Sequence, residues 1–120
     1  MLLVRKRGTH AFMQPGGKIE HGEEPAHALC RELAEELGLA VEHTHPRLLG
    51  EFRAPAANEP GHVVLATLYF LRINVDPLPG SEIAETAWID PDESGAVLLA
   101  PLTRDHVLPL CRAAATARSS

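Results

Sequence analysis

The feature that most constrains the fold is a stretch near the N-terminus that reads as one amphipathic helix with marked ends. Glu23, Glu24 and Pro25 suit a first helical turn, because acidic side chains and proline are favoured there. Gly38 suits the position after the last turn, since glycine readily adopts the left-handed conformation that ends many helices. The sequence therefore predicts a helix from Glu23 to Leu37.

At about 100° per residue, this helix separates its side chains onto two faces. The apolar positions, which we expect to face the core, are Ala26, Leu29, Cys30, Leu33 and Leu37. Glu32, Glu35 and Glu36 follow the i, i+3, i+4 spacing that brings side chains within reach of one another. Such a cluster favours a hard cation, Mg²⁺ or Mn²⁺ rather than zinc, because it offers only carboxylate oxygens. The alternative is an ordinary solvated face, since glutamate is a good helix former.

The rest of the chain alternates extended and helical segments. Strands are predicted at residues 1–7, 47–53, 63–75 and 84–89, with a shorter one at 18–20. Pro15-Gly16-Gly17 indicates a turn. Residues 90–93 resemble a helix start, and a last helix is predicted at 103–117. Without a linker or an internal repeat, this pattern predicts one domain, residues 1–120, of the α/β or α+β layered class.

Charge and hydropathy limit the partners. The formal net charge of -5 argues against DNA or RNA as a bulk partner, because such binding usually needs a basic face. A small phosphorylated ligand remains compatible if metal ions screen the charge. No apolar run approaches the ~20 residues that a membrane helix needs, so we expect no membrane association. Cys30 and Cys111 are expected to be free thiols of a cytoplasmic protein, with a disulfide as the alternative.

Nine positions around the helix follow one spacing pattern. In order they are Gly17, Glu23, Arg31, Glu32, Leu33, Glu35, Glu36, Gly38 and Leu39. They match every defining position of the pattern G-x5-E-x7-R-E-U-x-E-E-x-G-U, where U is a bulky aliphatic residue. The chain therefore resembles the Nudix hydrolases of the MutT type. The resemblance implies an α/β/α sandwich with a mixed sheet between helices, and it is specific from about residue 2 to residue 39.

The resemblance also implies a metal site and a reaction. Its metal ligands would be Glu32, Glu35, Glu36 and a backbone carbonyl of the glycine turn, that of Gly16. A further ligand or base would come from a loop before Trp88, where the MutT-type spacing selects Glu82 over Glu85. Glu32 and Glu82 are then the candidate bases that take a proton from water as it attacks phosphorus. Arg31 is expected to pair with Glu23 and hold the loop against the helix; an exposed surface arginine is the alternative.

Four residues are candidates for contact with the substrate. Arg5 resembles a phosphate-contacting arginine of MutT-like proteins, and Lys18 follows the glycine turn closely enough to reach a phosphate. Gly17 lets the backbone approach a metal or phosphate, because it has no Cβ. Phe12 either stacks on a base or packs in the core. For Arg5 and Lys18 the alternative is simple surface charge.

The implied activity is Mg²⁺-dependent cleavage of the diphosphate link in a nucleoside diphosphate compound, with a nucleoside triphosphate as the favoured substrate. An ADP-ribose or nucleotide-sugar pyrophosphatase is the second hydrolase reading. A non-catalytic Nudix-fold binding module is the alternative hypothesis that is not an enzyme. It is disfavoured because every glutamate of the spacing pattern is present. Most family members carry one more strand before Leu2. We expect either that the natural chain starts upstream of Met1, or that the sheet has an exposed edge that a second copy covers in a homodimer.

Overall fold

The computed structural model describes residues 1–57 and 59–119. Two of its strands pair as the first antiparallel ribbon: β1 is Leu2–Lys6 and β4 is Ile83–Trp88. Leu2 lies opposite Trp88, and the register shifts between Arg5 and Lys6 at the other end. The strands predicted at residues 1–7 and 84–89 are therefore confirmed. This ribbon joins the first residues of the chain to residues 83–88.

The second antiparallel ribbon consists of β2, Arg47–Pro55, and β3, Val63–Phe70. The prediction of a strand at 63–75 was too long. Arg47 is the first residue of β2 and lies opposite Phe70, so the residues after Phe70 have no neighbouring strand to pair with. The short strand at Lys18–Glu20 was also wrong: these residues are exposed and irregular.

Helix α1 spans Pro25–Leu37 and ends as the sequence predicts. Gly38 has a φ of 64°, and its N–H donates to the carbonyl of Ala34. This left-handed residue stops the helix and satisfies one of its last carbonyl groups. The helix begins two residues later than predicted, at the proline, because Glu24 is still extended.

The last predicted helix forms in two parts. Thr103–Val107 is a π-helical turn, and α2 follows it as Leu108–Ser119. The N–H of Leu108 donates to the carbonyl of Thr103, five residues back. Pro109 has no N–H to donate to residue 105, so the regular α-helical ladder is interrupted here. The helix start predicted at Asp90 is present as a short 3-10 helix, Pro91–Ala96, whose first turn is capped by the Asp90 carboxylate.

The main core lies between α1 and the first ribbon. Its buried members are Val4, Leu33, Leu37, Leu39 and Ile83. Leu33 and Leu37 were predicted on the core face of the helix, and Cys30 lies at its half-buried margin. Both cysteines are free, as expected. The core therefore fixes α1 against β1 and β4, which sets where the acidic face of the helix points.

The expected mixed α+β class is confirmed, but the strand pairing differs from a single mixed sheet. The described strands form two separate antiparallel ribbons. Within the part of the chain that the structure describes, parallel pairing is limited to one isolated bridge, between Phe12 and Leu99. Among the described residues, no helix combines the length and apolar character needed to cross a membrane.

Candidate active site

The glycine turn lies directly against the acidic face of α1. A Cβ placed on Gly17 would come within 2.6 Å of both carboxylate oxygens of Glu32. Gly16 has a φ of 142°, a backbone conformation that favours glycine. Its N–H donates to Oε1 of Glu36 at 3.2 Å. The turn and the helix thus form one surface, which depends on the absence of a side chain at Gly17 and on the backbone conformation of Gly16.

Glu36 is the buried member of the acidic cluster, only 5 % exposed. Burial raises the pKa of the Glu36 carboxyl, while the nearby Lys6 ammonium acts in the opposite direction. Nζ of Lys6 lies 3.5 Å from Oε2 of Glu36. A buried carboxylate costs folding free energy unless a cation lies beside it, so a positive charge next to Glu36 is stabilising.

Arg31 is the centre of an ion-pair network on the same face. Its guanidinium donates to both carboxylate oxygens of Glu23, at 2.8 and 3.0 Å, which is the pair that the sequence predicts. It also donates to Glu32 at 2.8 Å and to Glu35 at 3.3 Å. The hydrogen bond from Arg31, with one from the Glu20 N–H, lowers the pKa of Glu23 to about 2. The hydrogen bonds to Glu23 and Glu32 raise the pKa of Arg31.

The loop that carries Glu82 is attached to the end of α1. The N–H of Gly80 donates to the carbonyl of Glu36 at 2.7 Å, and the N–H of Leu78 donates to that of Leu37 at 2.8 Å. A Cβ on Gly80 would lie 2.8 Å from the carbonyl oxygen of Glu35. The loop therefore docks closely on the helix, although the Glu82 side chain itself is exposed.

The substrate candidates occupy different settings. Arg5 donates to Glu85 at 2.7 and 3.0 Å and to the carbonyl of Thr9 at 2.8 Å, so its guanidinium is already engaged. Lys18 is exposed beside the glycine turn. Phe12 is half-buried, and its backbone is bonded to the segment around Leu99. Of the three, Lys18 has the side chain most accessible to a ligand.

Lys6 is the residue of this site that the sequence analysis missed. It follows Arg5 on β1, and successive side chains of a strand point to opposite faces. Arg5 therefore turns toward Glu85 while Lys6 turns toward Glu36. Alternation along the predicted strand was the available signal, but the partner of Lys6 lies thirty positions away and no local pattern identifies it.

A cavity of about 850 Å³ lies on the core side of α1, away from the carboxylates. Its mostly apolar lining includes Leu29 and Leu33 of the helix and Trp88 of β4. It includes none of the glutamates of the spacing pattern. Gln14 and Pro15 also line it, next in the chain to Gly16. The proposed chemistry is therefore better placed at the acidic face than in this apolar cavity.

The donor chemistry of the acidic face fits a hard divalent cation. Its oxygens come from Glu32, Glu35, Glu36 and the backbone of the glycine turn, which are the ligand types that Mg²⁺ accepts. Within residues 1–57 and 59–119, no three histidine, cysteine or acidic side chains already converge as a group that could hold a metal ion. Lys6 and Arg31 instead form ion pairs with these carboxylates, and both cationic side chains lie close to where a metal ion would bind.

Comparisons with known proteins agree with the spacing pattern. A family model described as the NUDIX domain matches residues 1–111. The RNA pyrophosphohydrolase of Shewanella woodyi is 42% identical over 43 residues, which is 36% of this chain and 25% of that protein. The corresponding protein of Shewanella sediminis aligns to the same extent. The aligned segment thus spans only a quarter of these curated relatives.

Solved structures share the fold over most of the chain. A MutT/nudix family protein from Enterococcus faecalis superposes with a TM-score of 0.73 at 19% identity, covering 89% of this chain and 51% of that one. A MutT NUDIX hydrolase from Burkholderia pseudomallei gives a TM-score of 0.69 at 24% identity, covering 91% and 82% of the two chains. At these identities the likeness establishes the fold.

Proposed function

The chain belongs to the Nudix family, and on that premise we propose that it is a Mg²⁺-dependent pyrophosphohydrolase that cleaves the diphosphate link of a nucleoside diphosphate compound. The observation that carries the proposal is the buried Glu36 carboxylate, bonded to the N–H of Gly16 and close to Lys6. A buried acid that needs a cation, beside a backbone turn that excludes side chains, suits a metal-bound diphosphate.

The residues that would hold Mg²⁺ are Glu32, Glu35, Glu36 and Glu82, with the carbonyl of Gly16. Mn²⁺ is the expected substitute, because it accepts the same oxygen ligands. When bound, the metal screens the charge of the diphosphate and lowers the pKa of a bound water. The positive charge of the metal also offsets the repulsion between the carboxylates that would bind it.

The remaining roles fall to side chains beside these carboxylates. Arg31 orients Glu32 by a 2.8 Å hydrogen bond while its bidentate pair with Glu23 anchors the loop. Either Glu32 or Glu82 takes the proton of the attacking water. Glu82 is preferred to Glu85 because Glu85 already accepts two hydrogen bonds from Arg5.

The phosphate contacts are assigned to Lys18, Arg5 and the backbone at Gly17. Lys18 is exposed next to the turn, so its ammonium has room to meet a phosphate. Arg5 must leave Glu85 to do the same, which makes it the weaker candidate. Phe12 remains the proposed stacking residue for a base.

The favoured substrate is a nucleoside triphosphate in the cytoplasm. Pyrophosphohydrolase chemistry is supported by the likeness to the RNA pyrophosphohydrolases of Shewanella, which align over 43 residues. The net charge of -5 favours a small nucleotide over a long nucleic acid. ADP-ribose or a nucleotide sugar is the alternative substrate for the same residues.

The test is hydrolysis of a nucleotide panel by the purified chain with and without Mg²⁺. The panel contains nucleoside triphosphates, ADP-ribose, nucleotide sugars and a short RNA with a 5′-triphosphate, and product phosphates are separated by chromatography. We expect Mg²⁺-dependent turnover that Glu36→Gln abolishes while the circular dichroism spectrum is unchanged. Glu51→Gln, an exposed glutamate on β2, is the matched control and should keep full activity. Equal turnover of Glu36→Gln and the wild type would refute the assignment.

A non-catalytic binding module predicts the opposite result. Such a protein binds a nucleotide, measured by calorimetry, but releases no product from any member of the panel. Binding without turnover would therefore replace the enzyme proposal with the binding proposal.

A further inference from the structure

One buried hydrogen bond ties the segment before the glycine turn to the far end of the chain. Oγ1 of Thr103 donates to Oε1 of Gln14 at 2.7 Å. Thr103 is completely buried, at 0 % exposure. A buried hydroxyl is costly unless it has a hydrogen-bond partner, so the carboxamide of Gln14 stabilises Thr103 directly.

The backbone before Gln14 is held on both sides. Met13 and Val4 exchange two N–H···O bonds of 2.8 Å, which attach the segment to β1. Phe12 accepts from and donates to the segment Leu98–Ala100, at 2.9 and 2.8 Å. Gln14 therefore stands at the end of a fixed segment, and its side chain is an additional anchor immediately before the turn.

Only Pro15 separates this anchor from Gly16. The ring of Pro15 fixes its φ angle, so this angle cannot rotate to compensate for a displacement of Gln14. The displacement is therefore transmitted to Gly16. Glycine populates a wide range of backbone angles, so the backbone of Gly16 does not itself oppose such a displacement. The orientation of the Gly16 peptide groups then follows the position of Gln14.

We propose that Thr103 and Gln14 are positioning residues for the metal site. Their hydrogen bond holds Gly16 so that its N–H reaches Glu36 and its carbonyl is available as a ligand. The metal part of this inference rests on the proposed function. The π-helical turn contributes because it begins at Thr103, and π turns are frequent at functional sites.

The pair also gives a structural role to the polar residue before Pro15. Gln14 occupies that position. The structure gives that glutamine a buried partner 89 positions away. Its side chain is thus tied to Thr103 rather than turned freely toward solvent.

The experiment compares the full chain with Thr103→Val and Thr103→Ser. Valine keeps the branched shape and removes the hydroxyl, whereas serine keeps the hydroxyl. The first readout is the backbone amide resonance of Gly16 in a nitrogen–proton NMR spectrum, which reports its hydrogen bond to Glu36 without any metal. The second is Mn²⁺ binding by calorimetry, without substrate.

For Thr103→Val we expect a shifted Gly16 amide resonance and about tenfold weaker Mn²⁺ binding, the usual scale for losing an outer hydrogen-bond partner of a ligand. Thr103→Ser should match the wild type in both measurements. Wild-type values in Thr103→Val, or equal defects in both variants, would overturn the proposal.

Two further variants keep the outcomes separable. If Thr103→Val does not fold, Gln14→Met takes its place, since it removes the acceptor and keeps the length of the side chain; the same two results then decide. If the wild type binds no Mn²⁺, the proposed function fails, while the Gly16 resonance still tests the positioning. Thr67→Val, a threonine outside this pair, is the matched control and should leave the Gly16 resonance in place.

Discussion

At the scale of single residues, Arg31 and Glu36 have opposite kinds of partner. Arg31 contacts several carboxylates at once, and its guanidinium suits this because its donors form a rigid planar fork. Glu36 is buried and has one ammonium group at 3.5 Å. The network around Arg31 therefore stabilises the apo form, whereas Glu36 is the residue that gains most from a bound cation.

The first prediction concerns the pH dependence of the Glu23–Arg31 pair. The pKa of Glu23 is lowered from its ordinary 4.5 to about 2 in the folded chain. A carboxyl with a lowered folded-state pKa stabilises the fold above its unfolded pKa, and loses that contribution as the pH falls toward its folded pKa. The stability difference between the wild type and Glu23→Gln should therefore shrink between about pH 5 and about pH 2.

Urea unfolding followed by circular dichroism at several pH values measures this difference. Glu51→Gln is the control, since Glu51 is an exposed residue of β2. A difference between the wild type and Glu23→Gln that stays constant across the whole range would show that the pair does not lower the pKa of Glu23.

The second prediction concerns Gly17. In Gly17→Ala, the new methyl group would displace the carboxylate of Glu32, which lies within 2.6 Å of the added Cβ. Because that carboxylate is the end of a flexible side chain, we expect little loss of stability. Misplacement of a ligand by about 1 Å can reduce the rate about 100-fold, so kcat/KM should fall on that scale.

Steady-state hydrolysis and thermal unfolding of Gly17→Ala test this expectation together. Gly95→Ala is the matched control, because a Cβ at Gly95 meets no atom within 4 Å. Full activity in Gly17→Ala would show that the position of the Glu32 carboxylate does not matter for the reaction.

At the scale of secondary structure, α1 organises the site from its middle and from its C-terminal end. At the middle of the helix, Arg31 bonds Glu23 and the carbonyl of Lys18, so the preceding loop is held against the helix. At its C-terminus, the carbonyls of Glu36 and Leu37 accept from the loop before β4. One helix therefore brings the glycine turn and the Glu82 loop to the same region of the molecule.

The third prediction tests this docking at Gly80. A Cβ in Gly80→Ala would lie 2.8 Å from the backbone carbonyl of Glu35, which cannot move without moving the helix. Overpacking of this kind costs about 1–3 kcal/mol of unfolding free energy. The substitution should also lower activity, because the loop carries Glu82. Unfolding in urea and hydrolysis of the preferred nucleotide measure the two effects.

The same Gly95→Ala variant serves as the control for Gly80→Ala. If Gly80→Ala is destabilised but keeps full activity in its folded fraction, the loop supports the fold and Glu82 has no role in the reaction.

At the scale of the whole molecule, the two ribbons leave strand edges and apolar side chains uncovered. Leu48, Val63 and Leu65 on the second ribbon are each at least 60 % exposed. Exposed apolar residues beside an open edge favour association with another chain. The homodimer expected from the sequence remains a prediction that these features support.

The fourth prediction is therefore a dimeric mass for the purified chain in light scattering at micromolar concentration. Leu65→Lys, which places a charge on the exposed ribbon, should shift the mass to that of a monomer with its circular dichroism unchanged. A monomeric wild type would exclude the homodimer, and a dimeric Leu65→Lys would place the interface elsewhere.

Local sequence patterns were enough to predict the helix, the residue at which it ends and the members of the acidic cluster. These features are local: a 3.6-residue period, a proline at the helix start and a glycine after the helix act over a few positions. The Arg31–Glu23 pair could also be predicted, because both residues lie in or beside the same helix. Strand lengths were less accurate, since the end of β3 depends on where its partner β2 begins.

Which distant groups meet these residues depends on how the whole chain packs. Lys6 reaches Glu36 across thirty positions, Gly80 docks on the end of α1, and Thr103 bonds Gln14 across 89 positions. Such contacts arise when ribbons and helices pack around a shared core, and no short sequence window contains both partners. Burial, which raises the pKa of Glu36, is likewise a property of the packed chain rather than of the residue.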